Sequence, residues 1–308
     1  MLTNMNMYSI DMLRLSTRIQ KVYMEQFANQ SLKYNTNSHH YLGRSISEYG
    51  HNFKIREPYF IDTPSGKMRC ENNFWLGLQH NSESTNQATT TLVIEFNPNK
   101  CNINRGLLNA VLSRFFRFPQ NIQIKSLDIC RDFNDIDINA VTYDKNRKSH
   151  EIIYNTAQGK TVYLGKRSSN GRVKIYDKAA EQKQPDMVCT RWEATLKLKD
   201  LSMHDFLLGK VTADDINANL PTVYIGENGF VSSDDIMLKC ATYAIKTGHV
   251  KLADFTRYYR KQITPHLEQG ALFTVSNTDL PDMIQAVRAY LKDYYSLFEL
   301  VGDEMFAV

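Results

Sequence analysis

One short stretch constrains the fold of this chain more than any other: Thr161-Val-Tyr-Leu-Gly-Lys-Arg167, then Ser168-Ser-Asn-Gly171, then Arg172-Val-Lys-Ile-Tyr-Asp-Lys178. Two alternating runs flank an Asn-Gly pair, the signal of a β-hairpin closed by a two-residue turn. With Asn170 and Gly171 at the turn, the pattern predicts Ser169 opposite Arg172, Arg167 opposite Lys174, Gly165 opposite Tyr176 and Tyr163 opposite Lys178. Alternation sends Val173 and Ile175 to the core and gathers Arg172, Lys174, Tyr176 and Lys178 on the other face. Gly165 leaves space opposite the phenol, where a phosphodiester could approach with basic neighbours balancing its charge. The plainer reading is a packing tyrosine on a solvated basic strand, since tyrosine is favoured in strands generally.

Charge is distributed to match. The whole chain of 308 residues carries 37 Lys and Arg against 33 Asp and Glu, a net of +4 that is too mild to mark a nucleic-acid protein by itself. Residues 160–199 alone hold ten basic and four acidic side chains, net +6, and residues 279–308 hold two basic and six acidic, net −4. One stretch therefore carries more positive charge than the chain as a whole.

Further short apolar or alternating runs at residues 10–15, 92–96, 122–133 and 191–198 read as strands, whereas residues 12–29 and 104–116 have helix-compatible spacing. Polar stretches 35–41 and 81–91 read as loops. Beyond about residue 200 the pattern becomes helical: Ser232 or Ser233 offers an N-cap, Asp234 and Asp235 suit a first turn, and Gly248 can end that helix. Asp279 with Pro281 opens a last helix whose stripe is Met283, Ile284, Val287, Leu291, Tyr294, Tyr295 and Phe298. The composition, 42% hydrophobic with 14 Gly and 8 Pro, excludes collagenous, disordered and low-complexity classes. Five scattered cysteines without a C-x-x-C pair suggest a reducing compartment, and no apolar run is long enough for a spanning helix or a signal peptide, so a cytoplasmic protein is expected.

A tyrosine with its ordinary pKa of about 10 is a poor nucleophile near neutrality and needs electrophilic help, which a carboxylate-held divalent cation supplies. The candidate ligands sit in expected strands: Asp128 and Asp132 in Leu127-Asp-Ile-Cys-Arg-Asp132, Glu95 in Val93-Ile-Glu-Phe96, Glu193 in Arg191-Trp-Glu193, and Asp11. Asp128 and Asp132 share a face but stand roughly 13 Å apart along an extended strand, so Asp128 is favoured and Asp132 is the alternative. An ion pair between Arg191 and Glu193 is the competing use of Glu193. His39-His40 is an adjacent pair that would diverge on a strand and no His-x-His triplet occurs, so a histidine metal site is unsupported. No G-x-x-x-x-G-K-[ST] loop and no H-E-x-x-H helix occurs, which removes the ATPase and metalloprotease readings.

The hairpin, followed by Arg191-Trp-Glu193 and preceded by Ile10-Asp-Met-Leu13, Leu92-Val-Ile-Glu-Phe-Asn-Pro-Asn-Lys-Cys101 and Ser126-Leu-Asp-Ile-Cys-Arg-Asp132, resembles the core of the rolling-circle replication initiators of plasmids and filamentous phages, including the gene II proteins. The likeness spans about residues 8–200. It implies a single-strand endonuclease and strand transferase that nicks an origin, joins the 5′ phosphate through tyrosine, leaves a 3′ hydroxyl for priming, and later recloses the strand without ATP. Under that resemblance Tyr176 is the nucleophile, with Tyr163 as the fallback and Lys178 beside it. Asp128 and Glu193 would meet magnesium or manganese, and Lys166, Arg167, Arg172 and Lys174 would grip DNA phosphates. The Asn97-Pro-Asn-Lys100 segment replaces a Gly-rich turn common in such relatives.

The expected fold is α+β, a central and mainly antiparallel sheet with helices packed on one face, followed by a helical C-terminal region. Residues 1–200 form the expected nicking domain and 201–308 the helical part, with direct packing on that domain compatible with the reading. The implied partners are origin DNA, single-stranded or in cruciform or supercoiled form, and a host helicase; a homodimer is compatible with the reading and a membrane is not. Two alternatives use the same residues differently. A non-catalytic DNA-binding module would use Tyr163 and Tyr176 as stacking platforms, and a partner-binding protein would work through its last amphipathic helix.

Overall fold

The computed structural model describes residues 8–20, 51–64, 66–79, 89–143, 150–155, 159–184, 186–225, 236–246, 250–268 and 273–296. The chain forms two compact units, each drawn from separated segments: unit 1 from Met1–Tyr8, Ile129–Leu196 and Asn217–Ile284, and unit 2 from Ser9–Asp128, Lys197–Ile216 and Gln285–Val308. Both are antiparallel sheet with helices, the α+β class that the sequence predicts.

Unit 2 is built on β1 (Ser9–Gln20), β2 (His51–Thr63), β3 (Gly66–Gln79) and β4 (Thr89–Phe96), hydrogen-bonded in the order β2-β3-β4-β1. Registers across the four strands set Leu13, Phe96, Phe74 and Ile55 in one row. All four are almost completely buried, and each such side chain contributes about 1.5–3 kcal/mol. The adjacent row, Arg14, Glu95, Trp75 and Lys54, points to the other face. Residues 12–20 are therefore strand and not the start of a helix: Leu13, Leu15 and Ile19 are buried at even spacing while Arg18 is exposed. Met12, Leu15 and Ile19 also fit helical steps, which is why the pattern reads both ways. Residues 21–29 of the expected helix lie outside the described residues, as do residues 35–41 and 81–88 of the expected loops.

The expected helix at 104–116 is α1 (Gly106–Phe115), with Leu107, Leu108, Val111 and Leu112 buried. Its own N-cap residue, Arg105, supplies no side-chain bond. The cap comes from β2 instead: the Leu107 amide donates to Glu57 Oε1 at 2.7 Å, and Asn72, fully buried on β3, receives the Asn102 amide at 2.7 Å. Gly106 has φ +67°, and a Cβ there would fall within 2.3 Å of the Glu57 carboxylate, so only glycine passes this turn.

Unit 1 receives the later part of β5 (Ile122–Asn134) and the earlier part of β10 (Cys189–Ser202), followed in sheet order by β9 (Arg172–Asp177), β8 (Gly159–Leu164) and β7 (His150–Asn155). Helix α2 (Lys178–Glu181) continues directly from β9. A second sheet of β6 (Val141–Tyr143), β11 (Val223–Ile225) and β12 (Phe273–Val275) has the order β12-β11-β6, so the region after residue 200 carries strands as well as helices. Short helices α3 (Met203–Leu207) and α4 (Ala213–Ile216) belong to unit 2, and α5 (Ile236–Lys246) and α6 (Arg257–Glu268) to unit 1. The capping residues expected for α5 at 232–235, and Gly248, lie outside the described residues.

The last helix, α7 (Leu280–Ser296), starts where Asp279 and Pro281 predict it. Asp279 accepts the Ser276 amide at 2.9 Å in a capping box. Met283, Ile284, Val287, Leu291, Tyr294 and Tyr295 are all buried, as their spacing predicts; Phe298 lies outside the described residues.

Candidate nucleic-acid interface

Strands β8, β9 and β10 carry the basic, tyrosine-bearing face. Cross-strand registers place Thr161, Tyr176 and Arg191 in one row and Tyr163, Lys174 and Glu193 in the next. Val173 and Ile175, the alternate residues of β9, are completely buried, so the strand keeps the facing that its sequence predicts. Lys174 Nζ stands 3.9 Å from the centre of the Tyr176 ring and Lys178 Nζ 5.7 Å from it. The Arg172 guanidinium lies 4.4 Å from the centre of the Tyr163 ring. Tyr176 is only 5% exposed, whereas Tyr163 is half-buried. Lys178 begins α2, is buried, and pairs with Glu181 at 2.5 Å, while Asp177 caps the helix by accepting the Ala180 amide at 2.8 Å.

The hairpin register differs from the expected one by four residues. Tyr163 faces Lys174 and Thr161 faces Tyr176, so Gly165 is not opposite the phenol. The cause lies at Asn170 and Gly171. The tight turn forms earlier, where the Ser169 amide donates to Lys166 O at 2.9 Å, and the Gly171 amide is already committed to Thr195 O of β10 at 3.0 Å. Gly171 has φ +77° and passes so close to Asn219 that a Cβ would meet its carbonyl oxygen at 2.7 Å. The Asn-Gly pair therefore serves as an entry into β9 beside a neighbouring loop. An even shift preserves the faces, and Lys166 and Arg167 fall in the exposed connection between the strands.

Three of the candidate carboxylates, Asp132, Glu193 and Glu95, stand beside cations. Asp132 takes two bonds from Arg191, Nε to Oδ1 at 2.5 Å and Nη2 to Oδ2 at 2.6 Å. Burial opposes the charge of that guanidinium, but its bonds to the Asp132 carboxylate and the negative charge there outweigh this and raise its pKa above the ordinary arginine value. Glu193 lies 3.8 Å from Lys174, so a lysine on β9 stands beside that carboxylate while Arg191 also grips Asp132. Glu95 in unit 2 stands 3.7 Å from Arg14. Asp128, half-buried on β5, closes the first long segment of unit 2. Among the described residues no three His, Cys, Asp or Glu side chains gather into a metal-holding group.

The sequence reading passed over two features of unit 1. Helix α6 buries Ile263 and exposes Arg257, Tyr258, Tyr259, Arg260, Lys261 and Gln262, with the two tyrosine rings 5.5 Å apart. The run Arg-Tyr-Tyr-Arg-Lys was its available signal. The second is Arg131, 7% exposed, whose guanidinium lies 5.6, 4.8 and 4.9 Å from the rings of Tyr8, Phe133 and Phe273. Only Phe133, two residues on along β5, is local to that arginine; Tyr8 and Phe273 reach it from distant segments, so little in the sequence marks it. Among the described residues no helix is long and apolar enough to cross a membrane.

No protein-family model matches the chain, and no curated protein matches it. Among solved structures it is similar to a rolling circle replication initiator protein from Geobacillus stearothermophilus, at 14% identity and a TM-score of 0.33, over 84% of this chain and 95% of that one. A likeness of that size carries no weight for fold or function.

Proposed function

We propose that this chain is a rolling-circle replication initiator, a DNA-nicking and strand-transfer enzyme that works through Tyr176. The observation that carries the reading is the setting of the Tyr176 ring, with Lys174 at 3.9 Å, Lys178 at 5.7 Å and Arg191 opposite it on β10. It agrees with the order of motifs that resembles the initiators. The phenolic oxygen attacks the scissile phosphorus, the bond from phosphorus to the 3′ oxygen breaks, and the phenolic proton is balanced by the one gained at the new 3′ hydroxyl. Cations fixed around the phenol favour the charge that builds on the phosphoryl oxygens. Lys174 rests on the ring and must turn toward the phosphate as DNA enters, and Arg172, Lys166 and Arg167 extend the grip along the backbone.

Magnesium or manganese belongs to this proposal as an ion arriving with the DNA phosphates, with Glu193 the unit 1 carboxylate proposed to meet it. The exposed basic and aromatic face of α6 supports DNA as the partner. A second reading, DNA binding without chemistry, is favoured by the burial of Tyr176.

The test incubates the protein with supercoiled DNA and with origin-like oligonucleotides, with and without magnesium or manganese, and scores a denaturant-resistant adduct. An adduct lost in Tyr176→Phe and kept in Tyr163→Phe supports the assignment. Loss only in Tyr163→Phe moves the nucleophile one strand over. Tight binding with no adduct on any substrate favours the binding module.

A further inference from the structure

The unit 2 sheet holds a cleft of about 480 Å³ whose lining includes Arg14, Lys54, Asn73, Trp75, Glu95 and Lys100. Its floor is the cross-strand row Arg14, Glu95, Trp75 and Lys54. Trp75 lies flat along its own strand, because a Cβ on Gly77 would fall 2.2 Å from its Cη2 atom and 2.8 Å from Cζ2 and Cζ3. A tryptophan spread over a glycine on an open sheet face is a platform built for a flat ligand, since the ordinary use of indole is burial, as in the fully buried Trp192. The cleft also falls within the size range of small-ligand sites, about 300–1,000 Å³.

The charges around the platform select the ligand class. Asp11 is occupied by Asn97, whose Nδ2 donates at 3.0 Å, and Glu95 by Arg14 at 3.7 Å. The Arg14 guanidinium lies over the indole, 5.2 Å from its centre, and must swing aside to a phosphate for a base to stack there. Lys54 and Lys100 are exposed at the rim, and among the described residues neither is paired with a carboxylate. An aromatic plane with cations around it and the exposed Asn73 amide beside it matches a nucleobase with its phosphates. Only an unpaired base presents its face to such a plane.

We propose that this cleft binds single-stranded DNA by stacking an unpaired base on Trp75, with Lys54, Lys100 and Arg14 taking the flanking phosphates. The choice of DNA over RNA rests on the nicking function proposed above. The cleft gives the protein a hold on the unpaired strand that is distinct from the strands carrying Tyr176.

The chain has two tryptophans, and Trp192 is completely buried, so quenching by added oligonucleotide reports Trp75. The intact protein is titrated with oligo-dT of about ten nucleotides, and fluorescein-labelled oligo-dT is followed by anisotropy. The expected result is saturable quenching by oligo-dT and none by a duplex of the same length. Affinity should fall about ten-fold or more in Trp75→Ala, largely recover in Trp75→Phe, and fall in Lys54→Ala and Lys100→Ala. A blue-shifted emission maximum from the buried Trp192 shows that Trp75→Ala is folded. Unchanged affinity in Trp75→Ala overturns the proposal, as does tighter binding of oligo-rU than of oligo-dT. Tyr176→Phe separates the two claims, because it should lose the adduct and leave the dT titration intact. Quenching without any adduct would sink the nicking reading and leave this site standing.

Discussion

Arg191 ties two parts of the unit 1 face together, since it faces Tyr176 across the strands and is gripped twice by Asp132. Its side chain is 13% exposed and that of Asp132 is 39% exposed, so solvent screens the pair only on one side. Asp132→Ala should destabilise the protein by about 1–2 kcal/mol in urea unfolding, mostly through the buried donors left unmatched. Glu181→Ala, which leaves the buried Lys178 ammonium without that carboxylate, should cost at least as much. A second residue reports on pH. Tyr8 donates to Asp279 Oδ1 at 3.2 Å and packs edge-on against Trp192, and burial together with the Asp279 charge pushes its pKa up to about 12. The folded state therefore holds the phenolic proton longer than the unfolded chain. Its contribution is complete below pH 10 and is lost as pH rises from 10 through 12, amounting to about 2–3 kcal/mol. Tyr8→Phe should flatten the fall of stability over that window in urea titrations at stepped pH.

At the scale of elements, what was legible in the sequence is what depends on local period alone. Helices α1 and α7 and strands β4, β5, β9 and β10 show their buried stripes directly. The hairpin β2–β3 was not legible. Its inward positions include Glu57 and Asn72, two buried polar residues that serve α1 and break the apolar alternation. A Pro sits inside it as well, at position 58, opposite Glu71. The register of β8–β9 was misread for a related reason: Asn170-Gly171 has the chemistry of a two-residue turn, but the Gly171 amide is claimed by a third strand. The capping arrangement gives its own test. Gly106→Ala places a side chain against the Glu57 carboxylate at positive φ and should lower stability by roughly 1–3 kcal/mol, read as a lower urea midpoint at unchanged slope.

At the scale of the whole molecule, positive charge is concentrated and the fold is discontinuous. A linear reading draws a boundary near residue 200, where the pattern turns helical, whereas the two units are assembled from segments far apart in the chain, with β5 and β10 each contributing to both. Such exchange leaves no linker to see in a sequence. The charge, by contrast, is legible: the stretch with net +6 contains β8, β9 and the start of β10. DNA affinity should therefore fall steeply with salt, and Arg172→Ala or Lys174→Ala should each lower the slope of log K against log[salt] by about one. The central claim remains the covalent bond between Tyr176 and DNA. Its most direct test is peptide mass mapping of the adduct after nuclease digestion. Nucleotide mass on the peptide that contains Tyr176 is the predicted result; modification at another residue, or nicked DNA with a free 5′ phosphate and no modified peptide, would contradict it.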